Sequence, residues 1–207
     1  MLKTVTRLFD DYADATAAVS DLEALGVAHG DISIVGSNAD KAHGAHGIDG
    51  HDVHDGVSKG AVTGTLVGGA GGLLAGLGML AIPGIGPIVA AGWLITTAVG
   101  AGVGAAAAGA AGGLIAALKD AGESDEDAHV YSEGVRRGGT LVSAKVPEEL
   151  VREAEATLER HRSVTAATRG EAYRASGWSA FDDKADAYSP EEIRRERGLH
   201  TGVNGQL

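Results

Sequence analysis

Apolar and polar residues recur with two different periods before residue 40, and these periods predict two strands around a helix. Thr4 to Phe9 alternates as a strand does, and Ile32 to Val35 is a second short strand. Between them, Asp11 to Leu25 carries apolar residues at helical spacing. An aspartate can cap the start of this helix, and Gly26 suits the position just after its end.

A second set of elements is predicted after residue 122. Ser124 to Val135 is a short helix that begins at a serine cap. Thr140 to Val146 alternates as a strand until Pro147 ends it. A helix from Glu148 to about His161 follows, with a weak last strand within Val164 to Arg169. The order β-α-β on both sides of the intervening segment predicts an α+β protein with a ferredoxin-like split fold.

The intervening segment is apolar and free of formal charge. Ala61 to Leu118 contains no Asp, Glu, Lys or Arg. The run Pro83 to Pro87 divides it, which predicts a helical hairpin inserted between strands two and three. Ala61 to Ile82 would form a helix of about 33 Å and Ile88 to Leu118 one of about 46 Å. Apolar runs of this length are typical of membrane-spanning helices.

Small residues recur at every fourth position in both predicted helices. Such a stripe lets another backbone approach closely, as in a glycine zipper. We therefore predict that this hairpin mediates oligomerisation. The glycines predicted to do so are Gly64, Gly68, Gly72, Gly76, Gly100, Gly104 and Gly112.

Five segments follow from these patterns. They are the first half of the ferredoxin-like domain (1–38), a His-, Gly- and Asp-rich linker (39–59), the glycine-zipper helical hairpin (60–121), the second half of the domain (122–170) and an aromatic-containing tail with a short helix (171–207).

Several sequence segments together resemble one known family. They are Thr4 to Val35, Ala81 to Pro87, Ala128 to Tyr131, Gly134 to Val142 and the tail from Ser176 to Ile193. The chain resembles the bacterial general stress protein 17M-like family, also described as heat-induced stress protein domains, in its longer members with a Gly-rich apolar hairpin. This resemblance implies a link to general stress, with no assigned reaction and no catalytic residues.

Composition excludes several classes of partner and site. The formal charge of −11 opposes binding to the phosphate backbone, so we expect no nucleic-acid partner. The chain has no Cys, which excludes disulfides and cysteine metal sites. Residues 1–9 lack the pattern of a secretory signal, which predicts a start in the cytoplasm.

Histidines cluster in the linker. His43, His46, His51 and His54 alternate with aspartates, and such a set could ligate zinc or nickel. Glycines between these residues favour a solvated linker instead, with no cofactor. Protonation of the histidines near pH 6 is a third interpretation.

The tail holds half of the aromatic residues, which is unusual for a solvated tail. We predict that Trp178, Phe181 and Tyr188 dock it against its own domain, a neighbouring subunit or a partner. Ser189 and Pro190 would begin a short helix that ends at about Arg197.

The serines and histidines form no recognisable nucleophile with a base, so we expect no enzyme and identify no small-molecule substrate. We expect a non-enzymatic, general-stress-associated homo-oligomer at the cell membrane, with lipid contacts through the hairpin and its domain facing the cytoplasm. The alternative is a cytoplasmic, soluble homo-oligomer whose hairpins pack together. A metal- or pH-responsive module that uses the His-rich loop is the second alternative.

Overall fold

Five antiparallel strands form a single sheet in the computed structural model, which describes residues 1–39, 78–82, 84–97 and 109–201. The strands are β1 (Leu2–Phe9), β2 (Ile32–Ser37), β3 (Gly78–Ile82), β4 (Gly86–Gly92) and β5 (Thr140–Pro147). Their order across the sheet is β1-β5-β2-β4-β3. The chain is therefore an α+β protein, because helices occupy much of the remaining described sequence.

Polar caps begin several of the helices. The helices are α1 (Tyr12–Ala24), α2 (Gly109–Asp120), α3 (Asp125–Arg136), α4 (Val151–Arg160), α5 (Ala166–Ala175) and α6 (Pro190–Thr201). Residues 93–97 are also helical, and single 3-10 turns cover His29–Asp31 and Glu148–Leu150. The side chains of Asp11, Ser124 and Thr165 accept hydrogen bonds from the first backbone amides of α1, α3 and α5.

Helices cover both faces of the sheet. On one face, α1 and α4 bury an apolar layer that includes Leu22, Ile32 and Leu158. On the other face, α2, α3 and α5 bury a layer that includes Leu114 and Tyr131. Because β2 lies between these two layers, all six of its residues are buried.

The described part of the apolar segment does not form the helical hairpin that the sequence predicts. Strand β3 occupies the end of the first predicted helix, and β4 occupies the beginning of the second. The N–H of Ile85 donates to the C=O of Ile82 at 3.0 Å, and Gly84 has a φ of +76°. This hydrogen bond and the positive φ of Gly84 are typical of a tight turn, and here the turn joins two antiparallel strands. Short apolar runs do not separate strands from helices by period, so the prediction was wrong at this point.

The membrane-spanning prediction is also corrected. Within the described ranges, none of the helices is both long and apolar enough to cross a bilayer. Where the structure describes the predicted 31-residue second helix, it shows β4, a helical turn at 93–97 and the 12-residue α2. Described apolar residues of this segment are instead buried in the protein's own core, among them Ile85, Ile88, Leu94, Leu114 and Leu118.

The predicted last strand is reduced to one residue. Val164 forms an isolated antiparallel bridge with Leu8, and α5 begins two residues later. The N–H of Leu8 donates to Val164 at 3.0 Å, and the N–H of Val164 donates to Leu8 at 2.7 Å. Thr165 then caps α5, and the chain leaves the sheet edge.

Candidate functional site

A cleft of about 280 Å³ lies along the outer edge of β1. Its floor is β1 from Thr4 to Arg7, and its walls come from α3 and α4. The remaining lining residues are Glu123, Asp127, Tyr131, Glu155, Thr165, Ala166 and Ala167. The cleft exists because the chain turns into α5 after Val164, where a longer strand would have continued along β1.

Tyr131 joins the two sides of this cleft. Its O–H donates to the C=O of Thr6 at 2.9 Å, and its oxygen accepts from the N–H of Ala166 at 3.3 Å. Burial raises the pKa of the Tyr131 phenol far above its usual value. The hydroxyl therefore stays protonated and holds the start of α5 against β1.

Arg7 and Glu155 form an ion pair on the α4 side. The Arg7 Nη2 lies 3.1 Å from Glu155 Oε1, and Nη1 donates to the C=O of Thr6 at 3.0 Å. The Nε atom of Arg7 is buried and has no hydrogen-bond partner in the described part of the chain. Arg7 therefore shields part of the β1 edge and compensates one carboxylate of the cleft.

Glu123 and Asp127 make the α3 side of the cleft acidic. Burial raises the pKa of the Glu123 carboxyl, and the neighbouring Asp127 raises it further. Thr6 and Arg7 act in the opposite direction on this pKa. The cleft thus favours a positively charged group, since three carboxylates and one guanidinium line it.

The cleft holds hydroxyl groups beside its carboxylates. The hydroxyls of Thr6 and Ser143 lie 3.0 Å apart and share one hydrogen bond. No histidine lines the cleft, and the described residues include no group of three or more His, Cys, Asp or Glu that could hold a metal ion. What the arrangement offers is strand backbone, hydroxyls and negative charge.

The three tail residues singled out from the sequence lie against the protein's own domain. Phe181 is 7% exposed, and the guanidinium carbon of Arg136 lies 5.5 Å from its ring centroid. The same carbon lies 5.3 Å from the ring of Tyr188. Trp178 packs against the core and meets Tyr173 edge to face, with ring centroids 5.7 Å apart.

A buried ion cluster at the end of α3 receives this tail. Glu133 is fully buried, and the Nε of Arg137 donates to its carboxylate at 2.6 Å. Nη2 of Arg136 donates to the same carboxylate at 3.0 Å. Arg137 also lies over the ring of Tyr173, 4.2 Å from its centroid. Sequence reasoning missed these three charged residues, although the adjacent arginines on one helix end were a usable signal.

Two glycines allow the tail to approach the β3–β4 turn. A Cβ atom on Gly84 would lie 2.9 Å from the backbone oxygen of Asp183, and one on Gly86 would lie 2.9 Å from Ala187. Both glycines also have positive φ. The tail therefore lies directly on the turn that the apolar segment forms.

Other predicted site residues lie outside the described ranges. These are His43, His46, His51 and His54, and the glycines Gly64, Gly68, Gly72, Gly76, Gly100 and Gly104. Gly112 lies within α2. Gly92 lies eight residues before Gly100 in the predicted second helix and so belongs to the same fourfold spacing, but it ends β4 with a φ of +94° against the backbone of Ile32 and Ser33. The stripe is therefore not one continuous helical surface.

Comparison with protein-family models, with curated proteins and with solved structures finds no match for this chain.

Proposed function

We propose that this chain is a non-enzymatic protein that forms homo-oligomers and acts in the bacterial general stress response. The resemblance of its sequence to the general stress protein 17M-like family supports the stress assignment. The single observation that carries the self-association is the position of β3, an apolar strand at the edge of the sheet.

We also propose that the domain is ferredoxin-like. The antiparallel order from Val164 through β1 and β5 to β2 supports this topology. Two split β-α-β units would give this order, with α1 and α4 on the same face. The β3–β4 hairpin then extends the sheet beyond β2.

The register of β3 indicates which of its backbone groups face away from β4. Ala81 lies opposite Pro87, which has no N–H, so this pair is not a hydrogen-bonded one. Hydrogen-bonded pairs alternate with non-hydrogen-bonded pairs along an antiparallel ladder. The backbone groups of Leu80 therefore bond to β4, and the N–H and C=O groups of Met79 and Ala81 face outward. In the described part of the chain, β3 pairs only with β4.

A second copy is the partner that best fits this edge. The strand sequence Gly78 to Ile82 is apolar, and formal charge is absent from Ala61 to Leu118. An apolar edge strand is a ready template for pairing with another chain. Two antiparallel copies of one strand are self-complementary about a twofold axis, so β3 can pair with β3.

The test is the particle mass of the full chain, measured by size exclusion with light scattering. Met79→Pro removes one outward N–H and should reduce the oligomer to a smaller species, since the bonds from β3 to β4 remain. Met79→Ala keeps that N–H and serves as the matched control, with an unchanged particle mass.

A monomeric wild-type chain would refute the proposed self-association. If the oligomer persists in Met79→Pro but is lost in both Gly68→Leu and Gly104→Leu, the interface is formed by the predicted glycine stripe. That result would refute β3 pairing and retain the homo-oligomer.

A further inference from the structure

The outer edge of β1 is a second edge of the sheet, and described residues pair with only part of it. Leu8 exchanges both of its outward backbone bonds with Val164, and the C=O of Thr6 accepts from Tyr131 on the same side. Alternate residues of a strand face the same neighbour, so the N–H and C=O of Thr4 face outward as well. No described residue forms a hydrogen bond with these groups of Thr4.

This edge lies open where a strand would fit. The cleft follows β1 from Thr4 to Arg7 and ends at residues 165–167, where the chain turns into α5. Before Thr4 the chain carries exposed apolar side chains, since Met1 is 98% and Leu2 59% exposed. A strand that entered the cleft would lie in line with Val164 and pair at Thr4, because the C=O of Thr6 already accepts from Tyr131 and Arg7.

The walls of the cleft select the charge of the occupant. Glu123 and Asp127 lie on the α3 side, and Glu155 lies on the α4 side. Arg7, the only cation in this lining, is already paired with Glu155. A second copy of the chain carries a formal charge of −11, so a basic segment complements these walls better than another copy does.

We propose that the β1 edge binds an extended peptide segment rich in lysine or arginine. The segment adds a strand beside Leu2 to Thr6 and pairs with the outward backbone groups of Thr4. Its cationic side chains meet Glu123 and Asp127. Such strand addition takes affinity from main-chain bonds and specificity from the side chains next to them.

The experiment measures binding of a fluorescein-labelled seven-residue peptide of alternating lysine and valine to the full chain, by fluorescence anisotropy. Saturable binding is expected, together with a chemical-shift change at the Thr4 amide in a ¹⁵N correlation spectrum. Glu123→Gln and Asp127→Asn should each weaken binding about tenfold, because each replaces a charge-assisted hydrogen bond to the peptide by a neutral one. Asp186→Asn, on the exposed tail, is the charge-matched control and should leave binding unchanged.

Two further arms separate strand pairing from simple charge attraction. Thr4→Pro removes an outward N–H and should reduce binding, while circular dichroism shows that the fold is retained. The same peptide with N-methylated amides keeps its charge, cannot pair with the strand and should not bind.

Three outcomes would overturn the proposal. Equal binding of the N-methylated peptide would show attraction by charge alone. Equal binding of a glutamate–valine peptide would remove the charge selection. A reduced particle mass in Thr4→Pro, with no peptide binding to the wild-type chain, would assign the edge to a second copy.

Discussion

At the scale of single residues, the β1 cleft combines a structural tyrosine with a carboxylate whose burial reduces the stability of the fold. Tyr131 uses its hydroxyl to connect β1 with the start of α5. Glu123 lies beside it, and burial raises the pKa of this carboxyl above the ordinary value of 4.5. A carboxylate with a raised pKa reduces stability once it ionises, and such groups are typical of binding sites rather than of cores.

Replacement of Glu123 by Gln should therefore stabilise the fold at neutral pH. The folded-state pKa of Glu123 is higher than that of the unfolded chain, so its favourable contribution is present below pH 4.5 and is lost as pH rises through the folded pKa. Gln does not ionise and avoids this loss. Urea unfolding at pH 7 should show a higher free energy for the variant, and at pH 3.5 the difference should shrink.

Glu149→Gln is the control for this comparison, because Glu149 is exposed and should change stability little at either pH. A variant at position 123 that is less stable at pH 7 would show that Thr6 and Arg7 stabilise the carboxylate by more than its burial costs. If Glu123→Gln stabilises the fold and also weakens peptide binding, the Glu123 carboxylate supports binding at the expense of stability.

At the scale of elements, strong periods and caps made some parts of the fold predictable. Helix α1 was predicted because its apolar residues follow the helical period between Asp11 and Gly26, and the structure confirms both ends within one residue. Strand β5 was predicted from its alternation and Pro147. The β3–β4 hairpin was missed because an uninterrupted apolar run has no period with which to distinguish strand from helix.

The candidate cleft could not be predicted from the sequence. Thr6, Glu123, Glu155 and Thr165 lie in separate parts of the chain, and only the sheet pairing brings them together. No short motif links them. The tail differs, because its aromatic residues lie close together in sequence and formed a visible local signal.

Contact between the tail and α3 can be measured by comparing two glycines with the same backbone angle. Gly26 and Gly138 both have a φ of +98°, but only Gly138 is in contact with the tail, where an added Cβ would overlap Cγ2 of Ile193. Gly26→Ala should cost about 1–2 kcal/mol from backbone strain alone. Gly138→Ala should cost a further 1–3 kcal/mol, roughly, from overpacking. Urea unfolding of both variants measures the difference in stability. Equal losses of stability would mean that α6 does not hold Ile193 against Gly138.

At the scale of the whole molecule, one sheet serves two apolar layers. Neighbouring residues of β2, Ile34 and Val35, belong to opposite layers, so neither face can lose its packing without disturbing the same strand. The described parts of the charge-free segment supply much of one layer through β4 and α2. This accounts for their apolar composition without a lipid environment.

Cooperativity between the layers can be tested because both tryptophans report on one of them. Trp93 and Trp178 pack against the layer under α2 and α3, whereas Leu22 is buried in the layer under α1 and α4. Leu22→Ala should cost about 2–5 kcal/mol. Because the sheet is shared, unfolding followed by tryptophan fluorescence and by circular dichroism should shift to the same lower denaturant midpoint.

Ala17→Ser, at an exposed position of α1, should shift neither signal by much. A fluorescence midpoint that stays at the wild-type value in Leu22→Ala, while circular dichroism shifts, would show that the layers unfold separately and that β2 does not couple them.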